Sequence, residues 1–325
     1  MTTNIQDSPD RQTRRKPLRV VLSVLLMTAA LWFLWRTGSR AGWGNLGRRL
    51  MEVTLWPLLL AITANLLRYA IWGLRWQQLL RPVARVRWWP AERALLASVF
   101  YNTVVPGARP FGGLVRARYL ARSTGLEPGP LFGGALVDQM GYSLISMTLG
   151  MVLLPGAFLA GRTGGTGWFL LSALAAVAVV VLLAWRRRER LLEKLRERMP
   201  SMARNFTGTF RSARKLLARP TSWGIMVVGG TLVWLGNTLT FLLAARALGL
   251  EIPFMVAAAA FTLGSLAGVA SGSPGGAGAT EAAAIVPLVH LGYADDLALA
   301  SVLLARGIHY ASALLLGGIC ALTGR

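Results

Sequence analysis

Ser271-Gly272-Ser273-Pro274-Gly275-Gly276-Ala277-Gly278-Ala279-Thr280-Glu281 cuts across an otherwise continuous apolar run. Proline removes a backbone donor and glycine is the poorest helix former after it. A helix arriving from Phe254 therefore breaks here, and a short one restarts near Ala279 and runs to about Leu291. A second interruption of the same kind reads Asn102-Thr103-Val104-Val105-Pro106-Gly107-Ala108-Arg109-Pro110-Phe111-Gly112-Gly113-Leu114-Val115-Arg116. The run before it, Ala91 to Val105, has about 15 residues, short of the roughly 20 that a bilayer core demands. Another short helix, 111–123, follows. Both interruptions place Pro-Gly at the break, then glycines, then a charged residue, as Gly113-x-x-Arg116 and Gly278-x-x-Glu281. Irregular backbone at membrane depth persists only where protein buries it or it lines a cavity. Both stretches read as re-entrant or broken helical hairpins, with Pro106, Gly107, Gly112, Gly113, Pro274, Gly275, Gly276 and Gly278 as helix-break or gating positions.

Around these breaks lie six apolar blocks, near 18–36, 54–80, 131–155, 166–185, 222–248 and 295–322, each long enough to span. Hydrophobic residues make up 54% of the 325, charged ones 15%, and the mean hydropathy is +0.51. So much apolar surface must face lipid. Each spanning block has to satisfy its own backbone hydrogen bonds, which makes helix the default. The expected fold is an all-α polytopic membrane protein of six full spans plus two re-entrant or broken helical hairpins, arranged as an inverted-topology repeat. The halves cover about 54–155 and 222–322, each reading span, hairpin, span, within a single transmembrane domain, 17–325. Residues 1–16 read as a disordered basic cytoplasmic tail. The basic segment 186–220 joins the halves, and Leu191, Leu192, Leu195 and Met199 give it an apolar stripe at helical spacing. Two readings stand for it: a cytoplasmic helix against the membrane or bundle, and a solvated linker that only enforces topology.

The net charge of +22 would suit a nucleic-acid binder, but its placement speaks against one. Twelve Lys or Arg fall between Arg186 and Arg219, directly after an apolar block, and Arg14, Arg15, Lys16 and Arg19 flank the first one. Basic residues beside spans mark the cytoplasmic leaflet. The expectation is a multi-pass protein of the inner or plasma membrane with amino and carboxyl termini cytoplasmic. External loops near 156–165, 249–253 and 292–296 then carry only Arg162, Glu251, Asp295 and Asp296. The first external loop departs, with Arg36, Arg40, Arg48 and Arg49. An interfacial amphipathic helix using Leu46, Leu50 and Val53 would let those arginines reach head groups. Leu18 to Trp35 reads as a retained span, being long for a signal peptide and without a convincing cleavage site. Many of the twelve tryptophans stand near expected span ends, where interfacial belts place them.

Charges inside spans carry more information, because Arg or Asp at a helix centre costs roughly 2.5 to 3.5 kcal/mol and needs a partner or water. They are Arg68 and Arg75 in the second span, Asp138 in the third, Arg246 near the end of the fifth, Glu281 in the second hairpin, and Arg306 with His309 in the last. Arg68 and Arg75, seven apart, share a helix face, as do Arg306 and His309, three apart. One reading pairs them internally, for instance Glu281 with Arg306. The other makes them a polar cavity for an anionic head group, in which guanidinium forks hold phosphate; the excess of Arg over acid leans that way. Arg75 and Arg246 also lie near enough to span ends to snorkel.

Enzyme signatures are sparse. A lone cysteine, Cys320, excludes an internal disulfide or a Cys-based metal cluster, and two histidines, His290 and His309, are too few for a His-based one. There is no G-x-S-x-G, P-loop or H-E-x-x-H. No metal or other cofactor is expected. An acid/base pair of Asp138 or Glu281 with His309 is the one enzymatic alternative the residues allow.

The chain resembles the family named for the transmembrane region of lysylphosphatidylglycerol synthase, over about residues 18–322. The resemblance is carried by Leu74-Arg75-Trp76, by Asn102 with Pro106 to Arg116, by Val137-Asp138-Gln139, by Pro274-Gly275-Gly276-Ala277-Gly278-Ala279-Thr280-Glu281, and by Arg306. Two positions depart from the family pattern. Gly113 stands where an acidic residue commonly precedes the hairpin arginine by three, and Gln139 where Arg often follows the third-span acid. The resemblance implies the lipid-translocating half of such proteins without the aminoacyl-transferring domain.

The expected function is a lipid flippase-like transporter that moves an anionic phospholipid or polyprenyl-phosphate-type head group across the membrane. Its substrate-binding residues would be Arg68, Arg75, Asn102, Arg116, Asp138, Glu281, Arg306 and His309. The expected partners are membrane lipids, anionic ones above all, with no nucleic acid, and a homo-oligomer is compatible with the sequence. Two alternatives remain at this point: an intramembrane lipid-modifying transferase or phosphatase using Asp138, Glu281 and His309, and a scaffold that recruits partners through 186–220.

Overall fold

A computed structural model of the chain describes residues 43–105, 112–159, 166–198, 208–271 and 273–323, together with 32, 35, 36 and 39. The expected tail, nearly all of the first expected span, and Pro106 and Gly107 of the first break lie outside them. Among the described residues every regular element is helical. A short α1 (Trp43–Met51) leads into α2 (Leu55–Leu80), and α3 (Trp88–Val104) and α4 (Gly112–Thr124) pack together as the first helix pair. Next come α5 (Pro128–Leu159), α6 (Thr166–Arg186), and the basic helices α7 (Arg188–Arg198) and α8 (Thr209–Leu217). After α9 (Pro220–Ala247), α10 (Phe254–Ser271) and α11 (Ala279–His290) form the second pair. The chain closes with α12 (Asp295–Ser312), which passes through a π-helical turn, Ala313–Gly317, into α13 (Gly318–Thr323).

Five described stretches are long and apolar enough to cross a bilayer: Leu55–Leu80, Pro128–Ala157, Pro220–Ala247, Phe254–Ser271 and Asp295–Thr323. Four of them coincide with expected spans. The fifth, α10, stands where the sequence reading places half of a hairpin. Its 18 residues reach about 27 Å and carry no charge, so by length and composition it qualifies as a span. Its counterpart α3 has 17 residues and includes Glu92 and Arg93. The expected span 166–185 forms one helix of 21 residues.

Small residues set the packing, as they do where helices meet without a hydrophobic driving force between them. The antiparallel contact of α2 with α9 runs over Gly229 and Gly236. A Cβ on Gly229 would lie 2.6 Å from Arg75 Cδ, and one on Gly236 2.9 Å from Arg68 Cβ. Where α5 crosses α10, Gly150 lies against the side chain of Thr262, and Gly264 of α10 meets the Thr280 carbonyl of α11. The basic segment is partly docked: α8 lies on α5, with Ala213 and Leu216 buried and Thr209 Oγ1 donating to the Gly129 carbonyl at 3.0 Å. Leu192 is buried and Leu191 exposed; the side chains of Leu195 and Met199 lie outside the described residues.

The loops gather at two ends. At one, Arg49 of α1 pairs with Asp296 at 3.2 Å, and the Thr54 N–H donates to the Ala247 carbonyl at 2.7 Å. Arg246, expected near a span end, is exposed there and meets Glu251 at 3.4 Å. At the other end, Arg81 and Arg219 stand near each other around one cavity and Arg214 pairs with Glu189 at 3.0 Å. Of the apolar residues expected to seat α1, Leu46 is buried, Leu50 is exposed and Val53, beyond the helix, is half-buried; Arg48 and Arg49 are exposed.

Candidate functional site

Asp138, one-third of the way along α5, has no solvent exposure. A carboxylate in that position requires strong donors, and it receives three, two of them charged. Arg75 of α2 donates from Nε to Oδ1 at 2.8 Å, Arg116 of α4 from Nη1 to Oδ2 at 3.0 Å, and the Trp72 indole to Oδ2 at 3.0 Å. The second Arg116 nitrogen reaches the Ala135 carbonyl at 3.3 Å, and its guanidinium lies over the Trp76 ring. Two arginines thus share one carboxylate, and Arg75 Nη1 and Arg116 Nε have no hydrogen-bond partner among the described residues. Arg75 does not snorkel; it is 3% exposed.

A second cluster lies where the sequence breaks after α10. Pro274–Gly276 forms a single 3-10 turn, with positive φ at Gly275, Gly276 and Gly278. These are conformations that suit glycine and cost an L side chain energy. The break frees the Gly275 carbonyl, which accepts from Arg306 Nη2 at 2.8 Å. Arg306 Nε meets Glu281 Oε1 at 2.7 Å, and Nη2 also donates to the Tyr310 hydroxyl at 2.6 Å. Glu281 and Arg306 are therefore the ion pair that one sequence reading expects, anchored to the broken backbone as well.

Arg68 links the two clusters. It donates to Asn65 Oδ1 at 2.8 Å, approaches His309 Nδ1 at 3.4 Å, and covers the Tyr69 ring at 3.8 Å. A guanidinium only donates, so His309 Nδ1 faces it as the acceptor. Asn65 in turn donates to Ser312 at 2.8 Å. With Arg68 and Arg75 on one face of α2, and His309 and Arg306 on one face of α12, the Arg68–His309 contact joins the two helices in a polar strip between Asp138 and Glu281.

Asn102 and Gly112 belong together: a Cβ on Gly112 would lie 2.3 Å from Asn102 Nδ2, so the glycine lets α4 close on the end of α3. Asn102 Oδ1 is buried without a partner among the described residues. Gly113 sits where a Cβ would just touch Ala135 of α5. The sequence reading passed over Glu92, which is 4% exposed, has no partner for Oε2 among the described residues, and lies against Gly73 of α2. It also passed over Trp72, Asn65 and Tyr310, the neutral partners of the arginines. Only their spacing signals them: Asn65 precedes Arg68 by three, Trp72 precedes Arg75 by three, and Tyr310 follows Arg306 by four, all on shared helix faces.

Comparison with known proteins shows the family to which the chain belongs. Residues 20–317 match the family described as the lysylphosphatidylglycerol synthase TM region. The chain is similar to a UPF0104 membrane protein of Pyrococcus horikoshii, 23% identical over 341 aligned positions that cover 96% of this chain and 98% of the relative. It is likewise similar to a UPF0104 membrane protein of Methanothermobacter thermautotrophicus, 23% identical over 288 positions covering 78% and 81%. With a family match extending over nearly its whole length and carrying both clusters, the chain belongs to the lysylphosphatidylglycerol synthase transmembrane-region family of multi-pass membrane proteins.

Proposed function

We propose that the chain is a flippase-like transporter that carries the phosphate-bearing head group of an anionic lipid along the polar strip while the acyl chains stay in the bilayer. The observation that carries this reading is that two buried arginines, Arg75 and Arg116, share one buried carboxylate, Asp138. Around it Arg68, Arg75 and Arg116 are buried with Glu92, Asp138 and Glu281, and the part-buried Arg306 adds a fourth guanidinium. An uncompensated cation away from water is costly, and a phosphate would relieve it through the unpartnered nitrogens of Arg75 and Arg116. In the empty protein Asp138 and Glu281 hold the arginines in place; on loading, the phosphate competes with them.

The alternative acid/base chemistry gains nothing from the geometry, since His309 faces Arg68. The chain is accordingly proposed as a transporter without catalytic residues. Its orientation follows loop charge, with the Arg81, Arg214 and Arg219 end cytoplasmic in the inner or plasma membrane, and both termini there. The helix pairs α3–α4 and α10–α11 would be the corresponding elements of an inverted repeat that opens alternately to the two leaflets.

Reconstitution into liposomes with fluorescent phosphatidylglycerol and phosphatidylcholine tests the reading. Wild-type vesicles should exchange phosphatidylglycerol between leaflets faster than empty ones, and Glu281→Gln and Arg306→Ala should abolish the difference. Exchange equal to that of empty vesicles would overturn it, and a change in the lipid's mass would favour an enzyme instead.

A further inference from the structure

Arg118 and Arg122 stand one turn apart on α4, and both are exposed. Arg118 follows Arg116 by two, so it projects from nearly the opposite side of the helix. Both line a cavity of about 330 Å³, walled by Phe100 and Tyr101 of α3, Val115 of α4 and Leu322 of α13. Cross-ties hold its three walls together. The Tyr119 hydroxyl donates to the Cys320 carbonyl at 2.5 Å, joining α4 to α13, and Arg93 donates to the carbonyl and hydroxyl of Thr323 at 3.2 and 2.9 Å, joining α3 to α13. The cavity is therefore preformed and separate from the buried strip.

Its two kinds of lining point to an amphiphile. Paired guanidinium groups suit a phosphate. The other walls are aromatic and aliphatic, and Tyr101, Val104, Val105 and Leu322 continue them as an exposed apolar surface, which in a membrane helix meets acyl chains. About 330 Å³ lies at the small end of the roughly 300–1,000 Å³ of ligand pockets, enough for a head group and not for its tails. The cavity lies between the two helices of the first pair and the carboxyl-terminal helix.

We propose that this cavity is a docking site for the phosphate of an anionic lipid, held by Arg118 and Arg122 with its chains along Tyr101, Val104 and Leu322. A lipid seated there rests on the back of the helix that presents Arg116 to Asp138, so docking and the inner strip share one helix. The site requires binding alone and not leaflet exchange, so its failure is separable from failure of the transport reading.

The test is equilibrium binding to the purified full chain in detergent. The probe is short-chain phosphatidylglycerol, with phosphatidylcholine of the same chain length and inorganic phosphate as comparisons. Phosphatidylglycerol should bind saturably, phosphatidylcholine at least about tenfold more weakly, a difference of roughly 1.4 kcal/mol, and millimolar phosphate should not displace the lipid. Arg118→Gln with Arg122→Gln should weaken phosphatidylglycerol binding about tenfold or more at unchanged thermal stability. Should that variant not fold, Val115→Trp, which fills the cavity and keeps both arginines, should produce the same loss. Full affinity in the folded variants, or equal affinity for phosphatidylcholine, would overturn the proposal. Displacement by inorganic phosphate would overturn it too, assigning the cavity to the free ion.

Discussion

Gly236 of α9 lies flat against the stem of Arg68 on α2, where a Cβ would stand 2.9 Å from the arginine's own Cβ. Gly229, two turns away, does the same for Arg75. The charges of α2 are thus admitted to the interior by the absence of side chains on its neighbour. Gly236→Leu should force α2 and α9 apart and cost about 1–3 kcal/mol, as overpacking does. Gly224, on the same helix with nothing within 4 Å, should accept alanine without loss. Thermal unfolding in detergent compares the two, and equal melting would show that the close approach is not required.

Asp138→Asn should be the most damaging single change in the interior. It leaves Arg75 and Arg116 facing each other without their shared anion, and breaking a buried pair typically costs about 3–5 kcal/mol. Adding Arg116→Met, which removes one of the two stranded charges, should recover part of the loss. Folded yield and melting temperature of the single and double variants report the outcome.

Glu281 and Arg306 touch directly, so their substitutions should not add. A double-mutant cycle with Glu281→Gln and Arg306→Met should give a coupling of about 0.5–3 kcal/mol. Tyr310→Phe removes one acceptor of Arg306 and leaves two, and should cost only about 1 kcal/mol.

The pair of Arg49 with Asp296 has side chains 45% and 20% exposed. Exposed ion pairs contribute little, so Arg49→Ala should change stability by less than about 1 kcal/mol. Tight docking of α1 would rest instead on Leu46, which is buried; Leu46→Ala should release the helix, and limited proteolysis near residue 52 would detect it.

The helical blocks were legible because apolar runs of spanning length admit no other backbone solution. The charged members of the strip were legible for a related reason: a charge inside such a run is conspicuous. Glu92 was not, because it sits beside Arg93 just past Trp88-Trp89-Pro90, where a carboxylate reads as a solvated neighbour. Its burial is decided by how α3 rests on Gly73, a relation between helices. Asp138 was visible as a charge, while its sharing between Arg75 and Arg116 depends on three helices meeting.

The π-helical turn at Ala313–Gly317 lets one helix answer to two neighbours that a regular spiral would not satisfy together. Before it, Arg306, His309 and Tyr310 look toward α2 and the second helix pair; after it, Cys320 and Thr323 look toward Tyr119 and Arg93 of the first. An extra residue in the turn works like a deliberate miscount in a screw thread. Removing one residue from it would rotate the final six by about 100°, leaving the inner strip in register while the last two turns lose theirs.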